Sequence, residues 1–322
     1  MKQHPVGTGC FGKHPPAADY IHHHRGGPGI LAWQRWIQDG VGLASARFGA
    51  AVEPLLRDLR LFPFAFPGAR SDSYLIGVLG PGQDRSGRLF PFTVFAEVQS
   101  GPSFSVTDLI LRYESVWRRA AEIVTAKEID LPGLFLAVDR LASDDPPAPT
   151  TERTVAAYLA REAVGTLTSG DNPEVTGTVL TRVTRNLRRV VLGVERDHRP
   201  PAYGLRFPLP PEPERATAAR VVFLEMSLRV LGPKLRPALF WTEAGRSGFL
   251  DLYPSPIGPE AFLPLLNPSF PTEAVFAMDD DVAGPEAGGE RENPAESCWA
   301  EPGLSLQDAV DRSVSTTGWR RP

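Results

Sequence analysis

Apolar residues recur along this chain at two spacings, and the spacings divide it into helices and strands. From Trp33 the residues Trp36, Ile37, Gly40, Val41, Ala44 and Phe48 follow at three- and four-residue steps, with Gln34, Arg35, Gln38, Asp39 and Arg47 on the other side. That period predicts an amphipathic helix opened by Pro28 and Gly29. Leu61–Phe66, Tyr74–Leu79 and Leu89–Val98 are rich in aromatic and β-branched residues and bounded by Gly, Pro or Asp, so they read as strands. GPGQDRSGR, between the last two, has turn chemistry. A second helix is predicted from Val106 to Thr125, with Ser105 as its cap, Asp108 three residues later, and Leu109, Tyr113, Trp117, Ala120 and Val124 as its apolar face.

The stretch ASDDPPAPT, residues 142–150, reads as a linker. Beyond it, helices are predicted at Glu152–Thr166, Pro173–Leu192 and Ala216–Leu231. A hairpin ALFWTEA–GRSG–FLDLY and a short helix Glu260–Leu266 follow. Val6–Asp19 begins as a strand and ends as a loop, because Pro15 and Pro16 forbid a helix there. The organisation expected is an N-terminal α/β domain over 1–141, a helix-and-strand region over 151–275 that completes the fold, and an acidic, Gly/Pro-rich tail over 276–322. The tail is too polar to fold alone, although Trp299, Leu304, Leu306 and Val310 offer a short helix that docks back. Interleaved helices and consecutive strands point to an α/β or α+β sandwich with a mixed sheet.

Composition narrows the function classes. A net charge of −4 lacks the basic excess of a nucleic-acid binder. Two distant cysteines, Cys10 and Cys298, suggest a reducing compartment. No apolar h-region follows Met1 and no stretch reaches the ~20 apolar residues of a membrane span. The expectation is a cytoplasmic protein that neither inserts into a membrane nor binds nucleic acid. The 33 prolines and 30 glycines among 322 residues call for many turns.

Gly7, Gly9 and Gly12 with Lys13 match the phosphate-cradling G-x-G-x-x-G pattern, but prolines stand where the helix should begin. The competing reading is a strand–loop junction where another backbone packs closely. His4, His14, His22, His23 and His24 with Cys10 offer metal ligands. Consecutive histidines alternate faces in a strand, so they read instead as a polar loop before the first helix. Asp84, Arg85 and Arg88 read as an anion or partner contact, or as an Asx-type turn in which Gly87 takes a positive φ. Lys13 and Asp19 share that ambiguity. Ser247 lacks a nucleophile-elbow frame, Cys10 with His14 lacks an orienting partner, and Asp279–Asp281 reads as a solvated run. Arg182, Arg185, Arg188 and Arg189 form a basic helical stripe whose default is solvation.

Three ordered segments, GCFGKHPPAADYI, AWQRWIQDGV and GVLGPGQDRSGRLFPFTV, together resemble the TagF (ImpM) accessory family of bacterial type VI secretion systems. GCFGKHPPAADYI resembles that family's opening signature through Gly9, Gly12, Lys13, Pro15, Asp19 and Tyr20. AWQRWIQDGV resembles its W-x-x-W helix through Trp33, Trp36, Gly40 and Val41. GVLGPGQDRSGRLFPFTV resembles its third motif through Gly77, Pro81, Asp84, Gly87, Arg88, Phe90 and Pro91, and ALFWTEAG, with Trp241, is a fainter echo. Ala18, Gly82 and Phe240 stand where the family has Gly, Ser and Trp. The resemblance implies a three-layer α/β fold with helices flanking a central sheet. It also implies a cytoplasmic post-translational regulator, usually a repressor, without enzymatic activity, cofactor or metal. The partners it implies are the forkhead-associated protein Fha and the membrane-complex subunits. On this reading Lys13, Asp19, Asp84, Arg85 and Arg88 are candidate partner contacts, and Gly9, Gly12, Pro15, Trp33, Trp36, Gly87, Pro91 and Trp241 are structural.

Overall fold

The computed structural model describes residues 5–24, 26–70, 73–99, 105–141, 154–169, 173–232, 235–242, 248–254, 256–270, 272–281 and 297–315. The predicted linker 142–150, His4, Ser247 and, of the acidic tail, residues 282–296 and 316–322 lie outside them. The chain forms two compact units. The first comprises Met1–Ala148, Arg236–Glu243 and Ser255–Val275; the second comprises Pro149–Leu235, Ala244–Pro254 and Phe276–Pro322.

In chain order the elements are β1 Pro5–Gly12, β2 Ile21–His23, α1 Pro28–Phe48, α2 Val52–Arg57, β3 Phe62–Pro67, β4 Ser73–Gly80 and β5 Phe92–Gln99. There follow α3 Val106–Arg112, α4 Glu114–Thr125, α5 Leu131–Arg140, α6 Val155–Arg161, α7 Val164–Thr168 and α8 Pro173–Asp197. The remainder comprises β6 Gly204–Leu209, α9 Pro213–Leu231, β7 Ala238–Trp241, β8 Gly248–Tyr253, α10 Leu263–Leu266, β9 Val275–Ala277 and a last helix, Leu306–Ser315.

The sheet of the first unit runs β2-β1-β5-β4-β3-β7, and each of these ladders is antiparallel. Alternation along the strands sends neighbouring aromatics to opposite faces. Phe64 and Phe240 are register partners and meet α1, with Trp33 stacked on Phe64 at 4.1 Å and Trp36 on Phe240 at 5.2 Å. The next residue, Trp241, meets α4 on the other face, where Trp117 lies edge-on at 4.8 Å. The indole of Trp117 also donates to Phe64 O at 3.1 Å. Helix, sheet and helix therefore make three layers, the α/β sandwich expected. Gly40 of α1 packs closely against the 3-10 helix Pro259–Phe262: a Cβ there would lie 2.6 Å from Phe262 Cβ.

In the second unit β6 and β8 pair antiparallel, and Arg206 faces Asp251 across the ladder. Their side chains make two hydrogen bonds of 2.8 Å with Asp251 fully buried, and Arg206 also lies 3.9 Å over Phe249. Burial pushes the Asp251 carboxyl up, and the Arg206 guanidinium pulls it back. Helix α8 holds the start of the acidic run by its backbone: Asn186 donates to Met278 O and Asp280 O, both at 2.9 Å. Trp299, Leu306 and Val310 are buried here, with the Trp299 indole donating to Thr184 Oγ1 at 2.9 Å. The docking read from these residues is present, although Leu304 stays half-buried.

The structure revises three predicted elements. The helix over 106–125 is two helices, broken at Tyr113 (φ −111°, ψ 21°); Tyr113 remains buried with Leu109, Trp117, Ala120 and Val124, so the break keeps the apolar stripe on one side. The helix over 152–166 is broken at residues 162 and 163. There the backbone pairs with a distant segment: Val164 N–H donates to Leu304 O and Leu306 N–H to Glu162 O, both at 2.8 Å. The histidine run is not a loop. Ile21–His23 is the edge strand β2, held in register with Cys10–Gly12 of β1.

Candidate functional site

Pairing of β1 with β5 brings the loop after Gly12 beside the turn that enters β5. Gly12 makes the exit from β1. Its φ is +122°, and a Cβ would stand 2.0 Å from Pro91 O, so only glycine fits. Gly9 is a similar close approach, with a would-be Cβ 2.7 Å from His23 O. No helix follows until Pro28. The G-x-G-x-x-G segment is thus a strand paired on both sides, without the helix N-terminus a phosphate would face.

Asp84 organises the turn. Its Oδ1 accepts from Ser86 N at 2.9 Å and Arg88 N at 3.0 Å. Its backbone N donates to Arg88 O at 3.0 Å, and Gly87 takes φ +84°. Asx-turn geometry is therefore realised. Oδ2 faces two cations: Lys13 Nζ at 3.3 Å and Arg88 Nε at 2.8 Å. Asp84 and Lys13 are buried, 3% and 5% exposed. Burial opposes ionisation of Asp84, but the backbone N–H of Arg88, the Lys13 ammonium and the N–H of Ser86 outweigh it and hold the carboxyl below its usual range.

Further bonds tie turn to loop. Arg85 N donates to Ala17 O at 2.8 Å, and Arg88 Nη2 to Ala18 O at 2.6 Å. Lys13 Nζ also lies 5.1 Å over the Tyr20 ring, which packs edge-on against Phe90. Gly82 sits in the floor of this junction: a Cβ would lie 2.2 Å from Phe90 O and 2.4 Å from Lys13 O. His14, the next residue inward, is buried against Phe92 at 4.6 Å, and burial lowers its pKa to about 4.

The five candidate contact residues are thus together, but in two layers. Lys13 and Asp84 are interior. Asp19, Arg85 and Arg88 are exposed above them. Among the structural candidates, Pro15 is exposed, Pro91 is buried beside Gly12, and Trp33, Trp36 and Trp241 are core.

Residues 9–138, which contain both layers, match the TagF N-terminal domain, described as type VI secretion system-associated. The match is confined to this segment, 130 of the chain's 322 residues. A solved structure, PA0076 from Pseudomonas aeruginosa PAO1, is similar over 84% of this chain and 98% of its own, at 18% identity and a TM-score of 0.45. No curated protein matches the chain. The TagF domain ends within α5, so Trp241 lies outside it although it completes the same sheet.

Sequence reasoning missed a second polar contact, which joins the TagF-like segment to the residue just beyond it. His23 Nε2 lies 2.8 Å from Asp139 Oδ1, and the His23 ring stacks on Phe135 at 4.2 Å. Nothing in the local pattern links residues so far apart. Cys10 is register partner of His23, but it is fully buried and its thiol is pushed up to about 12, which leaves it un-ionised and poorly nucleophilic. Among the described residues no cluster of His, Cys, Asp and Glu could hold a metal ion, and no helix is long and apolar enough to cross a membrane.

Proposed function

We propose that this chain is a post-translational regulator, specifically a repressor, of a bacterial type VI secretion system. It acts in the cytoplasm through protein–protein contact rather than catalysis. Its partners are the forkhead-associated protein Fha and the membrane-complex subunits. The observation that carries this reading is the TagF match at residues 9–138, whose first and third motifs converge on one loop–turn junction. That junction has an anion fully matched by its own cations and a buried base of low pKa, which suits a rigid contact surface better than a reacting centre.

Deletion of the gene should raise effector release under repressing conditions while apparatus proteins accumulate normally. Unchanged secretion under both repressing and inducing conditions would rule the role out. Stoichiometric retention in the assembled apparatus would instead mark a structural subunit.

A further inference from the structure

The surface above the Lys13–Asp84 pair has the composition and rigidity of a binding epitope. Arg88 is fixed by two of its donors, Nε to Asp84 and Nη2 to Ala18 O, yet its side chain is 55% exposed. Its Nη1 donors have no partner among the described residues. The carboxylate of Asp19 is 3.7 Å from Nη2, beyond hydrogen-bond reach, and is itself engaged by Tyr20 N at 2.8 Å. Arg85 is exposed with its backbone pinned to Ala17 O, and its guanidinium has no hydrogen-bond or ion-pair partner among the described residues. Tyr20 is 42% exposed, the one exposed Phe, Tyr or Trp ring among the described residues, and is held from behind by Phe90 and the Lys13 ammonium. A guanidinium and a ring already held in place lose little conformational freedom on binding. Tyrosine and arginine are also the side chains that most often dominate interfaces.

We propose that Tyr20, Arg85 and Arg88 form the partner-binding epitope, and that it takes an acidic protein segment, one carboxylate side chain seated on the two guanidiniums beside a contact on the Tyr20 ring. A guanidinium presents parallel N–H donors that match a carboxylate in two-point fashion, and Arg88 holds its unspent donors in a fixed plane. Lys13 and Asp84 touch no partner. They act as the bolt that holds loop and turn together beneath the epitope, and so are positioning residues. This inference rests on the regulatory reading above, because it names the surface through which that contact is made.

The test uses the full-length chain, purified Fha protein and the cytosolic portions of the membrane-complex subunits, with affinity read by calorimetry or interferometry. Arg85→Glu removes no bond of the buried bolt and should melt as wild type. Tyr20→Ala gives up the ring's contacts with Lys13 and Phe90, so its binding is read at a temperature below its own melting transition, and each variant should weaken binding about tenfold or more. Arg85→Glu should also flatten the salt dependence. Arg88→Lys keeps charge but loses the fixed fork, and should weaken binding comparably. Arg35→Glu, on an exposed face of α1, is the control and should bind as wild type. Wild-type binding that Tyr20→Ala and Arg85→Glu leave unchanged overturns the epitope alone. Wild type that binds none of the probes overturns both the epitope and the regulatory reading. Binding that requires phosphorylated probe, lost on phosphatase treatment, overturns the carboxylate assignment.

Discussion

Replacing His14 by Phe should remove an acid-sensitive part of the stability of the first unit. The His14 ring is buried against Phe92, and burial holds its pKa near 4 against an ordinary 6.5; the carbonyls of Ile123 and Val124 at the end of α4 offset this only in part. The group is therefore neutral in the folded chain at neutral pH. As pH falls from 6.5 to about 4, the unfolded chain takes up a proton there and the folded chain does not. Stability is full above 6.5, declines through that window, and stops declining once the folded-state ring also protonates. At 1.36 kcal/mol per pH unit the span corresponds to about 3 kcal/mol. The phenyl ring keeps the contact with Phe92 and cannot titrate. Urea unfolding followed by tryptophan fluorescence at intervals between pH 7 and pH 4 gives both curves. Wild type should lose about 3 kcal/mol more than His14→Phe across the window. The other titrating groups, including Asp84 and His24, are common to both proteins and cancel in the difference. Parallel curves between pH 6.5 and 4 would refute the reasoning, as would an NMR titration in which the His14 ring protonates near 6.5.

Gly82→Ser restores the residue expected at that place in the TagF motif, yet should destabilise this chain by roughly 1–3 kcal/mol, because its Cβ meets two backbone carbonyls; an unchanged melting temperature would contradict the close approach. Asp251→Ala leaves Arg206 without its buried partner and should cost about 3–5 kcal/mol in denaturant unfolding, whereas the double replacement Arg206→Met, Asp251→Leu should recover most of it. Trp33→Ala opens a cavity between α1 and the sheet where Phe64, Phe66 and Phe240 converge, at a cost of about 3–5 kcal/mol by the same assay.

Where local pattern and tertiary packing agree, the sequence by itself determined the outcome. Helix α1 could be read from Trp33, Trp36, Ile37 and Gly40 because one face of a 3.6-residue period is buried against one sheet. The capping box of Ser105 and Asp108 is a property of four consecutive residues and forms as expected. The Asx turn at Asp84 and the positive φ of Gly87 are likewise local chemistry.

Tertiary structure decided the rest. The histidines became a strand because Cys10–Gly12 offered unpaired backbone beside them, not because histidine prefers one. Strand β6 carries Arg206 and Pro208, residues that argue against a strand locally, and exists because Asp251 and the β8 backbone receive them. The break at residues 162 and 163 belongs to a pairing with residues 304 and 306. At the loop–turn junction, the sequence named Lys13, Asp19, Asp84, Arg85 and Arg88 as one set of equals. Only the fold divides them, because which charge is buried depends on the β1–β5 pairing that lays loop over turn. A carboxylate enclosed by Lys13, Arg88 and two backbone N–H groups is an interior bolt, and the arginines left above it face solvent.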